Sequence, residues 1–379
     1  MAENQQPIRA LFCCTGVGIY NRGFESFCRE GFDGLKNLPG LDAWLIKGAG
    51  ERAEREIPVW CLPRTGRPAR WLGRLLNRNP YIAEQWSSFF PVARQIRRLR
   101  PHLILYSDAN LGFQLFLRRK WIGVPYRLLF SNGGPGCPPF DRTDFVHQVA
   151  PFYQEQALAF GESASKHFMV PYGITVPPPP VIDPAAKRAL RLQLGLPPDR
   201  PVVLSVGAIN RQHKRMHYVV EEIARLSGPR PFLQLLGALD EESAGVIEQA
   251  AKVLGPDGCS VNSVPYKRVV DYYRAADVFV LASLAEGFGR VYLEAMMHGL
   301  PVIAHQHPVM EYVLGGAGTL GDLNQPGELA GLLAQTLQRR PDDAVVRSRW
   351  ESVRRRFSWP ELAPHYFKMF SEVALHTVL

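Results

Sequence analysis

Two glutamates with seven residues between them, Glu286 and Glu294, frame the stretch of this chain best suited to chemistry. Directly after the first come Gly287, Phe288 and Gly289, a small-residue turn that opens a helix carrying the second. Glycine lets a backbone come close to a ligand, and the free amides of a helix N-terminus suit an anion. A phosphate buried beside the acids would repel them, so the acids themselves suit hydroxyls of a sugar or a ribose. Phosphate at the turn and hydroxyls at the carboxylates together describe a nucleotide-sugar. A cation is also needed. Lys214 stands in the polar turn Asn210-Arg211-Gln212-His213-Lys214-Arg215, just past Gly207 at the end of an apolar run. A basic residue between a buried strand and a helix start suits anion contact, and Arg211 is a second candidate there.

The elements that would position these residues can be read from apolar runs and their punctuation. Val278–Leu281 reads as a buried strand leading into the glycine turn. Gly299 ends the helix, Pro301 follows, and Val302-Ile303-Ala304 begins another strand, which makes a strand–turn–helix–strand unit of a parallel sheet. Further strands are expected at Ile8–Cys14, Ala43–Ile46, Val59–Leu62, Leu103–Tyr106, Tyr126–Phe130, Val202–Val206, Phe232–Leu236 and Ser260–Val264. After the first of these come Thr15-Gly16-Val17-Gly18, the polar segment Tyr20-Asn21-Arg22-Gly23 and a helix with Phe24, Phe27, Phe32 and Leu35 on its apolar face. The pair Gly16 and Gly18 lacks the third glycine of a dinucleotide fingerprint, and a plain tight turn explains it equally well. Ser107-Asp108 and Ser131-Asn132-Gly133-Gly134 follow strands on the side where open parallel sheets bind ligands. His147, in Asp144-Phe145-Val146-His147, is a candidate catalytic residue facing the site, although a histidine among apolar residues is ordinarily structural. The stiff run Pro177–Pro180 places a domain boundary. Domains are expected at 1–175 and 176–357, with a terminal helix over 358–379.

In its full frame, S-x-x-E-G-F-G-x-x-x-L-E-A-M-x-x-G-x-P-V-I-A from Ser283, the block resembles the signature of glycosyltransferase family four. The resemblance is strong from about Val202 to Leu320 and thin before Val170. It implies an α/β protein of GT-B fold, with two Rossmann-like domains facing each other across a cleft, the second binding a nucleotide-sugar and the first an acceptor. By the same resemblance Gly16 and Gly18 face the donor phosphates and the acceptor, and backbone near Val264 meets the nucleotide base. Glu294 receives the ribose hydroxyls, Glu286 orients the transferred sugar, and Lys214 neutralises the departing diphosphate. The reaction would be a retaining, front-side transfer to a hydroxyl of a saccharide, a lipid-linked saccharide or a small metabolite, commonly from a UDP-sugar. Three departures stand out: Ala208 replaces an arginine, the turn to Lys214 is one residue longer, and Tyr172 replaces an asparagine in the crossing segment. Asn132 occupies a loop where related enzymes carry a histidine, so either it or His147 would take that role. The chain holds no D-x-D triplet, so neither a metal nor a separate cofactor is expected. The alternatives are a GT-B-type epimerase and a binding subunit without catalysis.

Composition narrows the partners. The chain of 379 residues is 46% hydrophobic and 21% charged, which is globular and long enough for two cores. A formal charge of +9 favours anionic partners. Arginines between Arg64 and Arg100, interleaved with Trp71, Leu72, Leu75, Leu76, Trp86, Phe89 and Phe90, suggest amphipathic helices. These would suit peripheral contact with an anionic membrane, or simply a solvated face. No recognition motif points to nucleic acid. Cysteines at 13, 14, 28, 61, 137 and 259 form no C-x-x-C pair, which fits a reducing cytoplasm. The first residues, with an early acid and a short apolar run, are not expected to be a signal peptide. No run is long enough to span a bilayer, so the expected location is the cytoplasm or the inner face of its membrane.

Overall fold

The computed structural model describes residues 6–20, 22–75, 77, 79–134, 136–339 and 342–376. Asn21 and Leu76, read above as part of a polar turn and an apolar helix face, lie outside the described residues. The chain forms two compact units, one of residues 1–175 with 357–379 and one of Val176–Arg356.

The first unit is built on β1 (Ile8–Cys14), β2 (Leu41–Lys47), β3 (Glu56–Pro58), β4 (Leu103–Tyr106), β5 (Arg127–Asn132), β6 (Phe145–Gln148) and β7 (His167–Met169). They pair in the order β3-β2-β1-β4-β5-β6-β7, all parallel. Continuous apolar runs such as Leu11-Phe12-Cys13 are what a sheet covered on both faces requires, and these residues are fully buried. The expected strand Val59–Leu62 is instead the loop after β3. Since β2 ends at Lys47, residues beyond Val59 have no strand to pair with. The segment around His147 is a strand rather than a loop facing a ligand. Its polar residues are paid into a buried network: Asn132 donates to Gln148 Oε1 at 2.8 Å, and Gln148 meets His167 Nδ1 at 3.1 Å.

The terminal helix Trp359–Leu375 belongs to this unit. Trp359 occupies a socket left by Gly31, Gly34 and Gly173. A Cβ at Gly34 or Gly173 would come within 2.7 Å of its ring, and one at Gly31 within 3.0 Å. Phe370 meets Phe12 edge-on at 5.9 Å, and the Tyr366 hydroxyl donates to Pro171 O at 3.0 Å.

The second unit carries β8 (Val202–Val206), β9 (Phe232–Leu236), β10 (Cys259–Asn262), β11 (Val278–Leu281), β12 (Val302–His305) and β13 (Thr319–Gly321). Their order is β10-β9-β8-β11-β12-β13, again all parallel. The chain winds outward from β8 to β10 and then returns to β11 on the other side. That reversal puts the loops after β8 and β11 next to each other at the carboxyl edge, where open sheets of this kind bind ligands. Among the described residues, no helix is long and apolar enough to cross a membrane.

Candidate active site

The loop after β8 and the loop after β11 bring together the residues singled out from sequence. Lys214 Nζ donates to Glu286 Oε1 at 2.5 Å, across a sequence separation of 72. Both side chains are largely enclosed, at 16% and 9% exposure, so the attraction is poorly screened by solvent. The lysine is positioned by its own loop, its amide donating to Asn210 Oδ1 at 2.8 Å. Gly207 lies beside the lysine stem: a Cβ there would sit 3.2–3.4 Å from Lys214 Cγ, Cδ and Cε. The glycine thus makes room for the lysine rather than for a ligand.

Glu286 opens the turn that Gly287, Phe288 and Gly289 complete. Phe288 is buried at 3% exposure and anchors the turn, while Gly287 is half-buried. Gly289 caps the helix Arg290–Met297 with φ +79°, and a Cβ there would meet Tyr292 Cδ2 at 2.6 Å. Only glycine satisfies both constraints. The helix therefore begins at Arg290 directly beside the Lys214–Glu286 pair, with its first amides directed toward the loop. The Ser283 hydroxyl, 2% exposed at the end of β11, has no hydrogen-bond partner among the described residues.

Glu294, on the same helix, is 5% exposed and held by two tyrosines. Tyr266 donates to Oε1 at 3.0 Å and Tyr273 to Oε2 at 2.9 Å. Both come from the helix Tyr266–Ala275, and burial, with the carboxylate next to it, pushes the Tyr273 hydroxyl pKa well up. Val264 is half-buried in the loop between β10 and that helix. Sequence reading missed both tyrosines, because nothing local in Tyr266–Ala275 marks them as partners of a residue more than twenty positions away. It also missed His213. Desolvation and then Lys214 hold that imidazole below its usual pKa, against the Ala285 carbonyl and Glu286. Its adjacency to Lys214 in one turn was the available signal.

Other sequence candidates lie elsewhere. Arg211 is exposed; its guanidinium donates to Gln249 Oε1 at 2.8 Å and its amide to Glu242 at 2.6 Å. It is thus committed to the helix Ser243–Leu254 and does not supply the missing guanidinium at Glu286. His147 has no exposed surface. Its Nδ1 meets Ser131 Oγ at 3.1 Å and its Nε2 meets Val170 O at 2.7 Å. Desolvation lowers its pKa to about 4, so it is a neutral core residue and not a catalytic one. Asn132 is likewise buried and bonded to Gln148, so neither residue takes the role of a histidine open to substrate. In the first unit Gly16 backs onto the carboxylate of Glu25, which also pairs with Arg22. Gly18 has φ +85°, and a Cβ would meet Ala49 O at 2.5 Å. Packing accounts for both glycines, and the acid beside Gly16 is a poor neighbour for a diphosphate.

Residues 186–351 match the family described as Glycosyl transferases group 1. Among curated proteins, the chain is 30% identical over 221 residues to a D-inositol 3-phosphate glycosyltransferase of Xylanimonas cellulosilytica, covering 56% of this chain and 53% of that protein. It is 35% identical over 114 residues to a lipopolysaccharide core biosynthesis glycosyltransferase of Rhizobium meliloti, 30% of this chain and 32% of that one. The chain spans about half the length, or less, of the curated relatives it matches. Among solved structures, sucrose-phosphate synthase from Thermosynechococcus elongatus aligns over 97% of this chain and 99% of its own, at TM-score 0.74 and 20% identity. HepE of Anabaena in complex with UDP-glucose aligns over 96% and 99%, at TM-score 0.70 and 16% identity. These likenesses agree on the GT-B fold. The family match falls within the second unit, which holds Lys214, Glu286 and Glu294, and over residues 186–351 the chain is similar to the glycosyl transferases group 1 family.

Proposed function

We propose that this protein moves a sugar from a nucleotide-sugar to a hydroxyl acceptor, with retention at the anomeric carbon and with charge neutralised by protein groups. The observation that carries this reading is the Lys214–Glu286 pair at the switch point of the second sheet, beside the Gly289-capped helix. The bond between the anomeric carbon and the diphosphate oxygen breaks, and Lys214 with the first helix amides takes up the negative charge. The acceptor oxygen attacks from the same face, and its proton passes to the departing phosphate. Glu286 holds sugar hydroxyls and keeps the lysine in place, so it orients the reactants and is not a nucleophile. Glu294, already held by Tyr266 and Tyr273, accepts the ribose hydroxyls. The reading gives charge neutralisation to these groups and not to a divalent ion. A UDP-sugar is the expected donor, in keeping with the UDP-glucose bound by HepE, and an acceptor in glycan or envelope synthesis is in keeping with the curated relatives.

Glu286→Gln tests the assignment. Turnover is expected to fall roughly a hundredfold, while donor affinity, measured by calorimetry, stays within about threefold. Equal losses in turnover and affinity would argue against this assignment.

A further inference from the structure

At the amino edge of the first sheet, His102 leads into β4 and Arg127 opens β5. The two are knitted together: the His102 amide donates to Arg9 O at 2.8 Å, and the Arg127 amide donates to His102 O at 2.9 Å. Beside them lies an open cavity of about 500 Å³, a volume in the range of ligand pockets. Its wall includes four basic side chains, His102, Arg119, Lys120 and Arg127, and no acidic one among the described residues. Gly123, with φ +73°, ends the short helix Arg119–Ile122 and turns the chain into the loop that enters β5. Val124 from that loop, the Tyr126 ring and Ala374 of the terminal helix supply apolar surface. The Tyr126 hydroxyl is already committed to Leu115 O, at 2.8 Å.

The chemistry of the wall selects its occupant. Arg119 is neutralised by Asp144, to which both terminal nitrogens donate at 3.1 Å. Lys120 and Arg127 have no ion-pair partner among the described residues, and the Arg127 guanidinium donates to an uncharged carbonyl, His376 O, at 2.7 Å. His102 Nδ1 accepts the Arg9 amide at 2.9 Å, so the ring carries its proton on Nε2, as a donor. The basic side chains thus offer N–H donors and two uncompensated positive charges, with no carboxylate in the wall to attract a cation. A phosphate monoester matches this: it carries close to two negative charges at neutral pH, and its oxygens suit a guanidinium and an ammonium. We propose that this cavity binds a small phosphorylated compound, its phosphate monoester held by Lys120 and Arg127 and its carbon body lying against Val124, Tyr126 and Ala374. Open parallel sheets bind substrates at their carboxyl edge, so a ligand at the amino edge is separate from the sugar-transfer reading and does not rest on it.

The test is calorimetric titration of the full chain with phenyl phosphate. Phenyl sulfate, of the same shape with a single charge, and inorganic phosphate, without the carbon body, are the comparison probes. Phosphatidic acid vesicles form a separate arm. One phenyl phosphate per chain is expected, with each comparison probe about tenfold weaker. Lys120→Gln and Arg127→Gln are each expected to weaken phenyl phosphate about tenfold by removing a charged donor. Ala374→Phe fills the apolar side of the cavity and leaves both charges in place, and it too should weaken phenyl phosphate at least about tenfold. Lys120 is exposed and Ala374 half-buried, so these two variants keep the core even if Arg127→Gln disturbs the contact with His376. Lys214→Ala should leave the affinity unchanged, which separates this cavity from the candidate site of the second unit. Four results would each overturn the proposal: no saturable binding of phenyl phosphate, insensitivity to all three cavity variants, loss of binding in Lys214→Ala, or binding confined to the vesicles.

Discussion

In the proposed reading, Glu294 is a carboxylate held ready for the ribose by two tyrosines of a neighbouring helix. Each oxygen accepts a tyrosine hydroxyl, which fixes the plane of the group. The two tyrosines differ in how replaceable they are. Tyr266 is 41% exposed, so water can take over its hydrogen bond, whereas Tyr273 is 1% exposed and nothing can. A hydrogen bond to a charged group contributes about 1.5–3 kcal/mol, and the buried one is at the upper end when lost without replacement. Tyr273→Phe is therefore expected to raise donor KM about tenfold with kcat within about twofold, and Tyr266→Phe to change KM by less than about threefold. Steady-state kinetics on both variants checks this. A larger effect at Tyr266 than at Tyr273 would mean that the two hydroxyls do not act through Glu294.

At the scale of elements, what could be read from sequence depended on whether a segment's partners were local. The run from Val278 through Gly289 to Ala304 announced itself, because an apolar strand, a positive-φ glycine and a helix carrying an acid are each fixed by neighbouring residues. Lys214 and Glu286 were each legible as candidates, but their ion pair was not, because 72 residues separate them along the chain. β6 was opaque for the opposite reason. Its His147 and Gln148 are polar yet wholly buried, satisfied by Ser131, Asn132 and His167 on neighbouring strands, and those contacts exist only in the assembled sheet. The same burial has a thermodynamic consequence. With its pKa lowered from the usual 6.5 to about 4 by desolvation, His147 binds a proton more readily in the unfolded chain than in the folded one. Its contribution to stability is therefore fully present above pH 6.5 and is lost as pH falls toward 4, by an amount on the order of a few kcal/mol. The rings around it, Phe27, Tyr172 and Tyr366, carry no charge that would offset this. Urea midpoints followed by near-ultraviolet circular dichroism are expected to drop between pH 6.5 and 4 in the parent. His147→Gln should start lower and fall less over that window. A parallel decline in the two proteins would assign the acid sensitivity to other groups.

The whole molecule has two sheets of the same parallel type but an unequal claim on the chain. The second unit is one continuous segment, while the first is completed by residues 357–379 from the far end of the sequence. Among them Phe357, Trp359, Tyr366 and Phe370 are core. The amide of Ile174 donates to Phe357 O at 2.8 Å, Trp359 stacks on Phe27 at 6.0 Å, and Trp359, Tyr366 and Phe370 are 5%, 0% and 0% exposed. Truncating one buried aromatic costs about 3–5 kcal/mol, and a domain's net stability is only about 5–15 kcal/mol. Removing three together would exceed what the first unit can lose. Ending the chain at Arg356 is therefore expected to unfold the first unit selectively. Within the second unit, Arg349 and Trp350 keep their bonds to Gly299 O and Pro177 O, and the Lys214–Glu286 site is intact. Scanning calorimetry should show the parent's transitions reduced to those of residues 176–356. Limited proteolysis should cut the truncated chain first before residue 176. Calorimetric binding of the donor nucleotide should persist although transfer to any acceptor is lost. Protection of residues 6–175 from protease in the truncated chain would show that the first sheet is stable without its terminal helix, and that the aromatic socket around Trp359 contributes far less than its burial implies.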